Sequence, residues 1–600
     1  MCGICGEIRF DKSAPDRARV HAMMARLARR GPDSSGSHFV GNTGLGHRRL
    51  AIIDLSDKAA QPMVDETHGL SLVFNGTIYN YPELRETLIA KGHRFVSSGD
   101  TEVILKAYAE WGVDCLQHLH GMFAFAIRDE RKGKLILVRD RVGIKPLYYT
   151  HSGSRLLFAS TTQALLAADP SIDTGIDALA LHNLFSLHAV VPAPRTVLKG
   201  IRKVRPAHVI VIADDGSIEE QRYWTLAAKR PAKAMDEDEW IDAIHDSLRK
   251  SVERRLRIAD VPVGVLLSGG LDSSLLVALL CEAGVKGLKT FSVGFEDQPE
   301  EKGNEFEYSD AVVDRYNTEH HRFLVPNDQV LPRLPEAFQH MSEPMFAQDA
   351  VAFYLLAEVV SKEVKVVQSG QGADEVFGGY FWYPRMQHSI TPGIRRFSEH
   401  YFDRDHDEYL ETVDPRFHGA DVSSQLMGEL LQGVDADEYL DRVLAVDVTT
   451  LIVDDPVKRV DNMTMAWGLE ARVPFLDQQL IELAAAMPPG LKLASGGKYA
   501  LKQISRGLLP DSVIDRQKGY FPMPSLKYVR GEFLAFMREI LFSDAAKNRG
   551  LYNPVYVDKL MAEPEANLTR LQGSKLWHLA ALELWLQQNV DSNSPSATTL

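Results

Sequence analysis

The sequence predicts two domains in tandem: a mixed α+β domain of layered sheets, then an α/β domain around a doubly wound parallel sheet. Three observations lead there. The chain has 600 residues, and single cores rarely grow past about 250–300 residues. Up to about residue 220 it reads as short β segments with turn punctuation, whereas from residue 240 strands and helices alternate. Between them, charged and apolar-poor residues from Ala227 to Glu239 mark a linker. The expected boundaries are 2–220, 221–239 and 240–590, with a disordered Ser/Thr/Pro-rich tail over 591–600.

In the first part, Ile4–Phe10, Gly44–Asp54, Ser71–Phe74, Met122–Arg128, Lys134–Arg139 and Leu156–Ala159 have strand composition. Ala18–Ala28, Tyr81–Lys91 and Thr101–Trp111 have helical spacing. In the second part, Trp240, Ile241, Ile244, Leu248, Val252 and Leu256 recur as one helix face. Strand Val261–Leu267, a helix from Ser273, strand Lys289–Val293, helix Asp310–Tyr316, strand His321–Val325, helix Val351–Ser361 and strand Val364–Val367 follow. Such alternation places a ligand at the carboxyl ends of the strands. The rest, from about Thr391, reads as helical.

Composition narrows the class. The formal charge of −14 argues against a nucleic-acid footprint. Cys2, Cys5, Cys115 and Cys281 are too scattered for a disulfide framework, so a reducing cytoplasm is expected. Cys2 and Cys5 form a CxxC with no second ligand pair, which argues against a structural zinc. No signal peptide opens the chain, and the most apolar window, 261–285, is broken by Ser268-Gly269-Gly270-Leu271-Asp272-Ser273, so no membrane span is expected.

Cys2 follows the initiator Met. Removing Met1 would leave a thiol and a free α-amine on one residue. With a pKa of roughly 7.7–8.0 that amine is partly neutral and can serve as the thiol's base. Around it fall Arg29-Arg30-Gly31-Pro32-Asp33, Gly46-His47-Arg48-Arg49-Leu50, Phe74-Asn75-Gly76-Thr77-Ile78-Tyr79-Asn80 and Ser97-Ser98-Gly99-Asp100-Thr101-Glu102. With the Cys2 start these motifs resemble the class II glutamine amidotransferase domain over roughly residues 1–210. The resemblance implies an N-terminal-nucleophile hydrolase fold of αββα layers. It casts Cys2 as nucleophile, Asn75 and Gly76 at the oxyanion, Arg49 on the glutamine α-carboxylate and Asp100 on its α-ammonium. Alternative readings make Arg49 a surface salt bridge and Asp100 a helix N-cap. The family usually reads Asn-Gly-Glu where Asn75-Gly76-Thr77 stands, so one expected carboxylate is missing from the glutamine site, and the resemblance leaves Thr77 to bind glutamine through its hydroxyl.

The second half carries Val263-Gly264-Val265-Leu266-Leu267-Ser268-Gly269-Gly270-Leu271-Asp272-Ser273-Ser274, a strand, a Gly/Ser turn and a helix start. Backbone N–H groups there can close around a phosphate. The run resembles the pyrophosphate loop of ATP pyrophosphatases. That implies ATP bound by Leu266, Ser268, Gly269, Gly270, Asp272, Ser273, Val293, Ser369 and Gly370, and Mg²⁺ held by Asp272 and Asp374. Lys518, in Arg516-Gln517-Lys518-Gly519, is the matching cation for phosphoryl charge.

Together with Val460-Asp461-Asn462-Met463 and Leu469-Glu470-Ala471-Arg472-Val473-Pro474-Phe475-Leu476-Asp477, the whole chain resembles the glutamine-hydrolysing asparagine synthetases. The resemblance implies ammonia freed at Cys2 and passed to an acyl-adenylate, with AMP and pyrophosphate released. Gln371 stands where that family usually has Glu, and Ser342-Glu343-Pro344 where it has Asp-Glu-Pro. With Val351-Ala352-Phe353-Tyr354 and Phe381-Trp382-Tyr383-Pro384, these residues look like the N-acetylglutaminylglutamine amidotransferases, which amidate a capped dipeptide to give a bacterial osmoprotectant. The sequence reading therefore favours the terminal carboxylate of N-acetylglutaminylglutamine as acceptor, with aspartate as the alternative. A scaffold or ammonia-only ligase ranks last, because Cys2 and the Ser-Gly-Gly-Leu-Asp-Ser loop are intact. Oligomeric state, including a homodimer, stays open.

Overall fold

The computed structural model describes residues 2–297, 302–516 and 523–593. Its first half stacks two six-stranded antiparallel sheets. One runs, in spatial order, Arg202–Lys203, Tyr148–Ser152, Arg155–Ala159, Cys2–Arg9, Thr43–Arg49 and Ser34–Val40. The other runs Ile218–Arg222, His208–Ala213, Lys134–Arg139, Gly121–Asp129, Leu70–Ile78 and Met63–Asp65. Alternate side chains of each strand face the other sheet, so Ile4, Ile8, Leu45 and Phe158 meet Val73, Ala126, Leu137 and Ile210 in one buried layer. Helices Arg17–Arg26 and Thr162–Ala168 cover one outer face, and Tyr81–Ala90 and Asp100–Trp111 the other. The layers are thus α, β, β, α.

Cys2 and Cys5, three residues apart on one strand, point to opposite sides of the sheet. Cys5 enters the core with Val20 and Met24, where burial pushes its thiol well above its ordinary value.

The expected linker is shorter than 221–239 at both ends. Arg222 still belongs to the edge strand Ile218–Arg222, and the next helix, Glu237–Arg257, starts inside the charged run. Asp236 caps it by accepting from Glu239 N at 2.9 Å, while the Glu239 side chain accepts from Asp236 N at 3.1 Å. Between these elements the chain is tied down, with Ala228 N donating to Asp435 O at 2.9 Å and Arg230 N to Asp437 at 2.8 Å.

Five parallel strands form the second core, in the order Glu319–Val325, Lys289–Phe295, Val263–Leu266, Val366–Gln368 and Glu470–Arg472. Helices Glu237–Arg257 and Leu271–Glu282 pack on one face and Asp349–Val360 on the other. The strand that comes first in the chain lies in the middle. The loops leaving it and Val366–Gln368 therefore diverge and open a crevice at their carboxyl ends. The expected tail starts too early, because Asp591–Asn593 forms a 3-10 turn and Asp591 accepts from Arg549 Nη2 at 2.6 Å. No helix among the described residues is long and apolar enough to cross a membrane.

Candidate active sites

The first site grows from the pairing of Cys2–Arg9 with Thr43–Arg49, which sets Cys2 opposite Arg49. Cys2 N donates to Asn75 Oδ1 at 3.0 Å, and Asn75 Nδ2 is buried with no partner among the described residues. A donor held dry beside a thiol suits a developing oxyanion. Gly76 is required here for space, since a Cβ would lie 2.1 Å from Met122 O. Burial pushes the Cys2 thiol up, opposed by a backbone hydrogen bond from Leu50 and by the Arg49 charge.

Arg49 is buried rather than a surface ion pair. Its guanidinium donates to Ser56 O at 3.0 Å and to Asp54 O, so the 54–56 loop aims it. Asp100 does not cap its helix. Gly99 takes the cap position, and Asp100 Oδ2 accepts from Ile78 N at 3.0 Å, one residue past Thr77. Burial lifts its carboxyl to about 6. Thr77 Oγ1 donates across the domain boundary to Glu470 Oε1 at 3.4 Å.

The second site is a cleft of about 880 Å³ at the carboxyl ends of the parallel strands. Of the residues singled out for ATP and metal, Leu266, Ser268, Gly270, Asp272, Ser273, Val293, Ser369, Gly370 and Asp374 line it. Gly269 acts through the backbone: at φ +75° it turns the loop, and a Cβ there would stand 2.7 Å from Ser309 N. Ser268 Oγ and Ser273 Oγ lie 3.1 Å apart and close the turn. Gln371, Phe353 and Phe381 also line the cleft. Lys518 lies outside the described residues. Other cations stand in the cleft, among them Arg516 and Lys498. Arg516 pairs with Glu305 at 3.0 Å, and Lys498 Nζ lies 2.6 Å from Asp272 and 2.7 Å from Asp374. Burial opposes the Lys498 charge, but the two carboxylates outweigh it and raise its pKa. Lys498 was missed from the sequence, although Ser495-Gly496-Gly497 before it is a glycine turn leading into helix Tyr499–Ser505.

Ser342-Glu343-Pro344 does not line the cleft. Glu343 is buried between Lys203 Nζ at 3.0 Å and Tyr148 Oη at 3.2 Å, and Ser342 N donates to Asn462 Oδ1 at 2.6 Å. This motif builds the domain boundary. Tyr354 also turns away, towards Arg29 Nη1 at 3.4 Å.

The two sites share a buried polar boundary. Arg30 donates from Nε to Cys2 O at 3.3 Å and from Nη1 to Asp461 Oδ2 at 2.9 Å, and Lys145 Nζ reaches Asp461 Oδ1 at 3.2 Å. Burial raises the Asp461 carboxyl, but these two cations overcome it and hold it below the usual carboxylate range.

Comparison with known proteins agrees with this division. Residues 1–224 match the family model of the glutamine amidotransferase domain and residues 243–587 that of asparagine synthase. Glutamine-hydrolyzing asparagine synthetase 1 of Bacillus subtilis (strain 168) is 31% identical over 98% of this chain and 97% of its own length. Asparagine synthetase 3 of the same strain is 31% identical over 87% of each chain. A putative asparagine synthetase of Mycobacterium tuberculosis (strain ATCC 25618 / H37Rv) is 32% identical over 98% of this chain and 97% of its own. The chain belongs to the asparagine synthase family and is a glutamine-hydrolysing carbon–nitrogen ligase.

Proposed function

We propose that the chain converts aspartate to asparagine with ATP and glutamine. One observation carries the two-site reading. A buried thiol beside an unpartnered amide donor sits in one domain, an open cleft ringed by Ser268, Asp272, Ser369 and Asp374 in the other, and buried ion pairs join them. The relatives' names supply the acceptor: they say asparagine synthetase, which favours aspartate over the capped dipeptide.

With Met1 removed, the Cys2 α-amine takes the thiol proton and Sγ attacks the glutamine side-chain carbonyl. Asn75 Nδ2 and the Gly76 amide receive the oxyanion, ammonia leaves with the proton, and water then frees glutamate from the thioester. Arg49 pairs with the α-carboxylate and Asp100 with the α-ammonium. In the cleft, the acceptor carboxylate attacks the α-phosphorus of ATP and displaces pyrophosphate; ammonia then attacks the acyl carbon and displaces AMP. Leu266 and Val293 flank the adenine, and the Ser268–Ser273 turn and Ser369-Gly370 face the phosphates. Asp272 and Asp374 converge on one point, now taken by Lys498 Nζ, so their hard oxygens fit Mg²⁺. Bound there, the ion supplies charge neutralisation for the leaving pyrophosphate. Lys518 and Lys498 are the candidate cations for the same charge.

Gln371 in the cleft wall favours a second reading, the N-acetylglutaminylglutamine carboxylate, because an amide cannot take the proton of an attacking ammonia. Pyrophosphate release with ATP, glutamine and either aspartate or N-acetylglutaminylglutamine separates the two. Turnover with the dipeptide and none with aspartate would overturn the proposal.

A further inference from the structure

Glu470 opens the three-residue strand Glu470–Arg472 at the edge of the parallel sheet, yet its fully buried carboxylate faces the glutaminase half. Its Oε1 accepts from Thr77 Oγ1 at 3.4 Å and from Arg472 Nε at 2.5 Å. Thr77 occupies the position where a carboxylate is expected beside Asn75 and Gly76. The charge of Glu470 is felt at the Cys2 thiol, the Asp100 carboxyl and the Tyr79 hydroxyl, so it belongs to the same small space as the nucleophile.

Resting on the glutaminase reading above, we infer that Glu470 completes the glutamine site from the other domain, holding the substrate α-ammonium together with Asp100 and replacing the carboxylate that Thr77 lacks.

Three observations support this. Asp100 accepts from Ile78 N and Glu470 from Thr77 Oγ1, neighbouring residues on the strand that carries Asn75, so both carboxylates stand against the segment beside Cys2. Burial raises the Glu470 carboxyl, but the Arg472 and Lys145 cations oppose it and hold it below the usual carboxylate range, whereas burial lifts Asp100 to about 6. Glu470 is therefore the anion that stays ionised over the whole working range. The guanidinium of Arg472 does not depend on Glu470 alone, because Nη1 also donates to Arg255 O at 2.5 Å and Ile258 O at 2.7 Å. A residue kept only to satisfy Arg472 would not need to reach Thr77.

The placement has a consequence for coupling. The strand bearing Glu470 pairs with Val366–Gln368, and Ser369 N donates to Arg472 O at 2.8 Å. The carboxylate that receives glutamine is thus two residues from a backbone bond to the loop facing the nucleotide cleft.

The test uses the full-length enzyme and compares glutamine with glutaramate, the same amide without the α-ammonium. Glu470→Gln should raise the glutamine KM by roughly 10- to 100-fold, the loss expected for one charge-assisted hydrogen bond. It should also collapse the preference for glutamine over glutaramate. Ammonia-dependent pyrophosphate release, which bypasses this site, reports folding. Thr77→Glu in the Glu470→Gln background should restore the preference by returning a carboxylate to the loop. An unchanged preference in a Glu470→Gln enzyme that still uses ammonia would overturn the inference. If Glu470→Gln alone loses ammonia-dependent turnover, the double variant decides: recovered preference supports the inference and an unrecovered one overturns it. A wild-type enzyme without any glutaminase activity would instead sink the functional reading itself.

Discussion

Asp100→Asn should make the protein more stable and a poorer glutaminase. Burial lifts this carboxyl from 3.8 to about 6. A group whose folded pKa exceeds its unfolded one holds its proton more tightly when folded. Its stabilising contribution is complete below about 3.8 and is lost as pH rises through 6. At about 1.4 kcal/mol per pH unit, ionised Asp100 opposes folding at pH 7 by about 3 kcal/mol. Asparagine cannot ionise, and its side-chain oxygen can still accept from Ile78 N, the bond Asp100 makes at 3.0 Å. Urea unfolding of the full chain should show the variant gaining up to about 3 kcal/mol at pH 7 and little at pH 4. Activity should move the other way. Productive binding needs Cys2 with its α-amine free of the extra proton, and ionised Asp100. Log kcat/KM for glutamate formation should therefore fall with slope one below the amine pKa of roughly 8 and slope two below about 6. Asp100→Asn should lower kcat/KM at pH 7 and keep slope one throughout. A wild-type profile with a single slope down to pH 5, or a variant no more stable at pH 7, would show that Asp100 is not a buried carboxylate that binds substrate in its ionised form.

Cys2→Ala should abolish glutamine-dependent turnover and spare ammonia-dependent synthesis, read as pyrophosphate release with each nitrogen source; loss of both in a folded protein counts against separate sites. Asp272→Ala and Asp374→Ala should each remove synthesis with either donor while glutamate formation continues, and retained pyrophosphate release in both would remove the metal assignment. Lys498→Met leaves the two carboxylates it bridges with no lysine between them; like charges at roughly 5 Å repel by about 3 kcal/mol at an effective dielectric near 20. Its thermal midpoint should drop in EDTA and recover with Mg²⁺; equal midpoints in both conditions would show that the carboxylates do not share one charge.

The sequence was most readable where periodicity and burial agree. Lys134–Arg139 and the strand–turn–helix around Ser268 to Ser274 are apolar on their buried faces, and their pattern announces them. Ser34–Val40 (SSGSHFV) and Ile218–Arg222 (IEEQR) are edge strands with exposed, largely polar residues, so no alternation marks them. Glu470–Arg472 is three residues long and two of them are charged, which hides a strand wholly buried by its neighbours. The residues that gather around Cys2 and along the cleft of the parallel sheet stand out in the sequence because each lies in a short local motif. Lys498 was not, since what matters is its distance to Asp272 and Asp374, more than a hundred residues away in the chain.

The charges buried between the domains follow the same logic of long-range partners. Arg30, Lys145 and Asp461 form one cluster, and Lys203, Glu343 and Asp454 another, all nearly inaccessible. Taking such ions out of water costs several kcal/mol each, and their mutual attraction in the interior roughly offsets this, so they are poor as a source of stability. Misdocking changes the balance. An apolar face could slide by one residue with little loss, but a shift that parted Arg30 from Asp461 would strand both charges in the interior, at about 3–5 kcal/mol for a broken buried pair. The ions therefore favour one register. Because Arg30 also donates to Cys2 O, that register fixes the strand of Cys2 against the helix carrying Asp461, and it brings Glu470 within reach of Thr77. A glutamine site that borrows a carboxylate from its neighbour needs a boundary of this kind, since it is complete only when the domains are correctly joined.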